Sequence, residues 1–272
     1  MSKAKKVNGY VIYEGASQIN GDNIVAIVTL SSNNVKTGNM ASMWIMNADM
    51  TPTVASKQGK DESVCGDCKH RGKVLSFKDA LKYANILSNV KKKALLKRID
   101  TKREKGLNSI NVDRKCYVTT WRAPLSIYKA WKKGNYPTLT PKQAQKRLAY
   151  KKVRLGSYGD PVHVPLEVWN TILKFTLGTT GYTHQWKNLE YIGYSKYLMA
   201  SVDTSEEMFQ ANVLGYRTFR VRKKNEEVQP NEVGCLSDRN ARGTKKLVSC
   251  VDCMMCSGLT SKVTKDISII QH

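Results

Sequence analysis

The chain has no run approaching ~18 consecutive apolar residues, which excludes an ordinary membrane-spanning helix. It opens Met-Ser-Lys-Ala-Lys-Lys with no apolar leader, so a reducing cytoplasm is the expected compartment. Acidic residues are scarce: 22 Asp and Glu stand against 45 Lys and Arg, a formal net charge of +23. That excess is beyond what solubility requires and makes a polyanionic partner the leading expectation. Cysteines number seven, an odd count that fits a disulfide framework poorly.

The cysteines are spaced as metal ligands. Cys235, Cys250, Cys253 and Cys256 form a C-x14-C-x2-C-x2-C pattern. A C-x2-C turn brings two sulfurs to one ion, and four thiolates saturate tetrahedral zinc at ~2.3 Å. The same tight run is also the shape of an iron–sulfur loop, although Ser257 stands where the ferredoxin pattern has proline. Ordinary buried thiols are the third reading. Cys65 and Cys68 make a second knuckle with Gly66 in the turn, and Cys116 joins it from further along. The fourth ligand is open: His70 comes first among the candidates, then His163 and His184. The expected cofactor is therefore zinc or an iron–sulfur cluster.

The positive charge is concentrated. From Lys91 to Arg154, 20 Lys or Arg face three acids, so this stretch holds +17 of the excess. Tyr117, Trp121, Tyr128, Trp131, Tyr136 and Tyr150 are interleaved with it. Cations neutralise phosphates and release counterions, and aromatic faces stack on unpaired bases. Lys91, Lys92, Lys93, Lys97, Arg98, Arg122, Trp131, Lys132 and Lys133 are the expected nucleic-acid contacts, with DNA and RNA both open. The plainer reading is a solvated helix face whose aromatics turn into a core.

Hydrophobic periodicity predicts strands at Val11 to Tyr13, Ile24 to Leu30 and Met43 to Met46, then one helical run from Ser76 toward Lys105. Beyond a helix at Pro124 to Lys133 the rhythm alternates. Strands are expected at Val153 to Asp160, Gly181 to Trp186, Leu198 to Asp203, Tyr216 to Val221 and Asp266 to His272. Helices are expected between them at Pro165 to Leu177, Asn188 to Lys196 and Ser205 to Leu214. The expected fold is α/β: a parallel, barrel-like sheet of βα units with a basic helical insertion and two cysteine metal knuckles. The expected divisions are residues 1–75 with the first knuckle, 76–115 as the insertion, and 116–272 as the βα-repeat domain. Ligands bind at the carboxyl ends of parallel strands, where Asp160, His184 and Asp203 fall as candidate catalytic residues. Arg154 or Arg220 is the expected holder of an anionic group, and the alternative is that the carboxylates are loop caps.

Several motifs carry a resemblance: Lys36-Thr-Gly38, Cys65-Gly-Asp-Cys68-x-His70-Arg71, Cys116-Tyr-Val, Ala123-Pro-Leu-Ser-Ile-Tyr-Lys-Ala-Trp-Lys, Gly156-Ser-Tyr-Gly-Asp-Pro161, Thr180-Gly-Tyr-Thr-His-Gln-Trp186 and Ala200-Ser-Val-Asp203. Together they resemble a family of uncharacterised proteins encoded by bacteriophages, apart from the helical arm, which looks like an insertion. The resemblance implies a host-cell cytoplasmic setting and supplies no activity. A weaker similarity is to radical S-adenosylmethionine barrels, whose C-x3-C-x2-C loop is absent. The leading expectation is a metal-binding protein that binds or processes nucleic acid through its basic arm. The alternatives are an iron–sulfur enzyme, and a non-catalytic interaction factor stapled by zinc that binds a host or phage protein.

Overall fold

A computed structural model describes residues 7–32, 34–238, 247–259 and 263–271. The chain begins as an antiparallel meander of β1 (Gly9–Ala16), β2 (Asn23–Thr29) and β3 (Ala41–Asn47). In β2 every residue after Asn23 is buried, as its unbroken apolar run requires of a strand covered on both faces. The outer edge of β1 is covered by the 137–139 segment, through Val11 N–H to Pro137 O at 3.1 Å and Leu139 N–H to Val11 O at 2.9 Å.

After β3 come α1 (Pro52–Gln58) and α2 (Glu62–Cys65). A two-stranded hairpin follows, β4 (Lys73–Ser76) with β5 (Ser109–Val112), and the basic arm is inserted between its strands. The single helix expected there is two: α3 (Phe77–Ala84), capped by Ser76 Oγ on Asp79 N–H, and α4 (Asn89–Arg103). Phe77, Ala80, Ala84, Leu95, Ile99, Ile110 and Val112 give this arm its own small core. The chain turns back at 85–88 so that both apolar stripes face each other, which leaves Ile86 79% exposed.

Helices α5 (Ala123–Lys132) and α6 (Pro141–Leu148) lead into the alternating part. There β6 (Lys152–Tyr158), α7 (Leu166–Ile172), β7 (Gly178–Thr180), β8 (Tyr182–Thr183) and β9 (Met199–Val202) follow in order. They are succeeded by α8 (Ser205–Val213), β10 (Thr218–Arg222), β11 (Glu232–Gly234), α9 (Cys250–Cys253) and β12 (Asp266–Ile270). The segment Leu189–Lys196, expected as an α-helix, is wound as a tighter 3-10 helix.

One sheet has the order β1-β2-β3-β6-β7, turning parallel from β3 onward; the other, β11-β12-β10-β9-β8, is parallel throughout. Only Gly181 separates β7 from β8, so the two sheets adjoin there. The protein is thus mixed α/β with parallel sheets, and among the described residues no closed barrel forms. Among the described residues no helix is long and apolar enough to cross a membrane. Gly159 (φ +81°) makes the end of β6 possible: a Cβ there would lie 2.5 Å from the Ile45 carbonyl oxygen of β3.

Candidate functional site

The first cysteine group is assembled by backbone contacts. Helix α2 ends on Cys65, the chain turns at Gly66, and Cys68 N–H reaches back to Cys65 O at 3.1 Å. The His70 carbonyl accepts from both Lys115 N–H (3.0 Å) and Cys116 N–H (2.9 Å), which pins Cys116 beside the knuckle at the base of the arm. The Cys68 sulfur stands 3.6 Å from His184 Nε2. Burial pushes the Cys65 thiol well up, and the charges of Asp61, Cys68 and Cys116 add to that. Burial likewise pushes Cys68 up to about 12, against the His70 and Arg71 backbone N–H groups that favour its thiolate. Left alone these thiols stay protonated; a bound cation is what would make them thiolates.

Asp160 and His184 follow the carboxyl ends of β6 and β8, and Asp203 follows β9. Asp160 is buried and accepts from Val162 N–H (3.1 Å), Thr183 Oγ1 (3.0 Å) and His184 N–H (2.8 Å). Burial pushes its carboxyl up to about 6, and the three donors oppose that. Asp160 is thus a cap that also fixes the His184 backbone.

Burial pulls His184 down to about 4, with His70 adding to the effect. Asp203 does not cap the helix that follows it, because Thr204 Oγ1 takes that place on Glu207 N–H at 3.1 Å. Its carboxylate lies 3.3 Å from His70 Nε2 and 3.9 Å from Lys69 Nζ. His184 and Asp203 line one open cavity of about 360 Å³, together with Asp67, Lys69, Trp186 and Glu207. Burial would raise Glu207, yet hydrogen bonds from Lys69, the Asp203 backbone and Lys187 bring it to about 2.

Arg220 is not available to an external anion. Its guanidinium is buried on Glu232, Nε to Oε1 at 2.7 Å and Nη2 to Oε2 at 2.6 Å. Arg154 lies elsewhere, beside the second cysteine group: Nη2 donates to Tyr117 Oη at 3.3 Å and the guanidinium sits 5.7 Å from the Tyr182 ring centre. Burial disfavours its charge, but Tyr117, Tyr182, Cys250 and Cys256 outweigh burial and hold it charged.

Helix α9 docks on the Lys36-Thr-Gly38 loop through Cys250 N–H to Lys36 O (2.8 Å) and Val251 N–H to Thr37 O (3.1 Å). A Cβ at Gly38 would meet Val251 at 2.4 Å, so only glycine lets α9 sit so close. Cys235 is tied to β12 by its N–H to Ser268 O at 2.8 Å, and Cys256 O accepts from Gly181 N–H at 3.1 Å. Arg217, whose pairing sequence reading missed, donates to Met255 O (3.0 Å) and Ser257 O (2.7 Å) and holds the backbone on either side of Cys256. Burial pushes the Cys256 thiol up to about 12. Among the described residues no three His, Cys, Asp or Glu side chains converge on one point as ligands of a metal ion.

The basic surface has two parts. On α4, Lys91, Lys93, Lys97 and Arg98 are exposed and Lys92 is half-buried, while Leu95 and Ile99 face inward. Lys97 and Arg98 line an open groove of about 470 Å³ with Lys57, Lys102 and Lys105, three cations outside the expected set. Burial lowers Lys102, and the like charges of Lys57, Arg98 and Lys105 lower it further. Among the described residues, every carboxylate paired with a Lys or Arg is paired off α4. The second part is α5: Arg122 lies 4.9 Å over the Trp121 ring and Lys132 4.2 Å over that of Trp131, with Lys133 exposed beside it. Trp131 is itself half-buried against the main core and edge-on to Tyr128, whereas Trp121 is 60% exposed.

Comparison of the chain with family models, with curated proteins and with solved structures gave no match.

Proposed function

We propose that this is a metal-binding protein of the bacteriophage type, which grips the phosphates of a nucleic acid with its basic arm. The observation that carries the reading is the groove of Lys57, Lys97, Arg98, Lys102 and Lys105, whose lining holds no carboxylate and whose cations crowd Lys102. Like charges held together destabilise the arm unless a polyanion neutralises them, and a phosphate backbone does so while releasing counterions. The exposed Trp121 ring under Arg122 and the exposed Tyr117 ring beside Arg154 add faces on which unpaired bases stack. The cysteine groups serve as metal staples, the first closing the base of the arm so that it is presented rigidly.

The test is the salt dependence of oligonucleotide binding. Lys97→Gln/Lys102→Gln/Lys105→Gln removes three charges and should reduce the log–log salt slope by about 2.7 on duplex or about 2.1 on single strands. The same change at Lys174, Lys196 and Lys224, outside the groove, should leave the slope unaltered. Binding that ignores salt, or a slope that the groove variant does not move, overturns the reading.

A further inference from the structure

Three backbone contacts deliver residues far apart in the chain to one place. Asp160 N–H bonds Val64 O at 2.6 Å, which ties the end of β6 to the helix bearing Cys65. Asp160 then holds His184 by its N–H, and the neighbouring Gln185 packs so tightly on the Cys65–Cys68 turn that a Cβ at Gly66 would lie 2.3 Å from Gln185 Nε2. Cys116 is fixed from the other side by the His70 carbonyl. None of these contacts uses a thiol or an imidazole, and the Cys68 sulfur and His184 Nε2 are left to face each other at hydrogen-bond distance.

The Cys68–His184 separation carries the inference. Zinc bound tetrahedrally at ~2.3 Å to sulfur and ~2.0–2.1 Å to imidazole nitrogen sets those two atoms about 3.6 Å apart. Cys68 Sγ and His184 Nε2 stand at 3.6 Å. We propose that Cys65, Cys68, Cys116 and His184 form a three-thiolate, one-imidazole site for a zinc-like divalent cation, with His184 rather than His70 supplying the nitrogen. The ion draws in the Cys65 and Cys116 sulfurs, and the three thiol protons leave to solvent. His70 Nε2 instead faces Asp203 at 3.3 Å, without hydrogen-bond geometry, and its ring lies edge-on to His184 at 5.8 Å. His163 is fully buried with Nδ1 on Ser17 Oγ at 2.8 Å.

This inference rests on the metal-staple part of the reading above, names its fourth ligand, and is tested apart from the nucleic-acid part. The full chain is loaded with zinc or cobalt(II), and ions per chain are counted by native mass spectrometry. His184→Ala should lose one ion per chain or bind it at least tenfold more weakly, and His70→Ala should keep it. His184→Cys, which restores a ligand, should keep the ion and add one thiolate's worth of sulfur-to-cobalt absorption. The proposal is overturned if His70→Ala is the variant that loses the ion, if neither histidine variant changes the count, or if His184→Cys also loses it. Oligonucleotide binding by the groove variant is read separately, so loss of the His184 site would leave the basic-groove reading standing, and failure of the groove reading would leave the metal site standing.

Discussion

The Arg220–Glu232 pair gives the sharpest energetic test of the fold. Arg220 sits in β10, between β9 and β12, with its side chain 2% exposed and that of Glu232 0% exposed. Besides its two hydrogen bonds to Glu232, the guanidinium donates to Glu227 O at 2.8 Å, and Glu232 Oε2 also accepts from Gln229 N–H at 2.9 Å. Glu232→Gln leaves the buried guanidinium with only the more exposed Glu226 carboxylate at 3.5 Å, and Arg220→Met strands a buried carboxylate. Each should cost about 3–5 kcal/mol, because a charge without its partner keeps the desolvation penalty and loses the attraction. The double variant Arg220→Met/Glu232→Gln removes both charges and should cost much less than the two singles together. Equilibrium urea unfolding of the four proteins measures the cycle. Single variants that each cost under about 1 kcal/mol, or costs that simply add, would refute the placement of this pair, since water-exposed ion pairs behave that way.

His163 is buried, and burial pulls it from 6.5 down to about 3, so the unfolded chain takes up its proton first. Stability should therefore fall as pH drops from about 6.5 toward 3, by up to about 1.4 kcal/mol per pH unit, and His163→Gln should flatten that dependence in pH-resolved urea melts. The comparison is made between the two proteins because Asp160, raised to about 6, acts in the opposite sense and loses its contribution as pH rises through that value. Asp160→Asn should cost about 2–3 kcal/mol in the same melts, since it serves three donors in a buried place. Asp203→Asn, half-buried with one imidazole and one distant lysine, should cost under about 1 kcal/mol. If the Asp203 variant is the more destabilised of the two, the assignment of cap and cavity residue is reversed. Cys253→Ser should lower metal content by elemental analysis and loosen the C-terminal segment; unchanged content would remove Cys253 from the ligands.

What was legible in the sequence depended on local signals. The buried strand β2 announces itself by six consecutive apolar or small residues, and α3 by Ser76 with Asp79 three residues on. The break between α3 and α4 was hidden because Ile86 and Leu87 continue the helical apolar rhythm; the turn pays off only when Leu95 and Ile99 fold back on Phe77 and Ala80. β11 has three residues and is held by pairing with β12, more than thirty residues later, so no local pattern betrays it. The strand-end rule did place His184 and Asp203 at one cavity, since it depends only on alternation of strand and helix. It misjudged Arg220, whose partner lies 12 residues along at the start of β11, two strands away in the same sheet. The order His70 before His184 followed sequence proximity to Cys68, and proximity along the chain says nothing of which ring tertiary packing turns toward the sulfur.

The first cysteine group is reached from the carboxyl end of β6, whereas helix α9 of the second meets its amino end, and that difference bears on their roles. The first group is reached from the carboxyl ends of β6 and β8, through Asp160 and His184, next to the open cavity. Helix α9, by contrast, meets the amino ends: Lys152 Nζ at the start of β6 donates to Val251 O at 2.6 Å, and a Cβ at Gly178, the start of β7, would touch Met254 at 3.0 Å. Conserved geometry of parallel sheets places ligand chemistry at the carboxyl face and leaves the opposite face to stability. A metal held by Cys235, Cys250, Cys253 and Cys256 would therefore fasten the long excursion between β11 and β12 to the sheet. Arg154 supplies positive charge beside Cys250 and Cys256, which offsets the charge that several thiolates would bring to a half-buried place. A metal at Cys65, Cys68, Cys116 and His184 would instead sit where the arm is rooted and where the cavity opens, so changes in its ligation should reach whatever the arm and cavity bind.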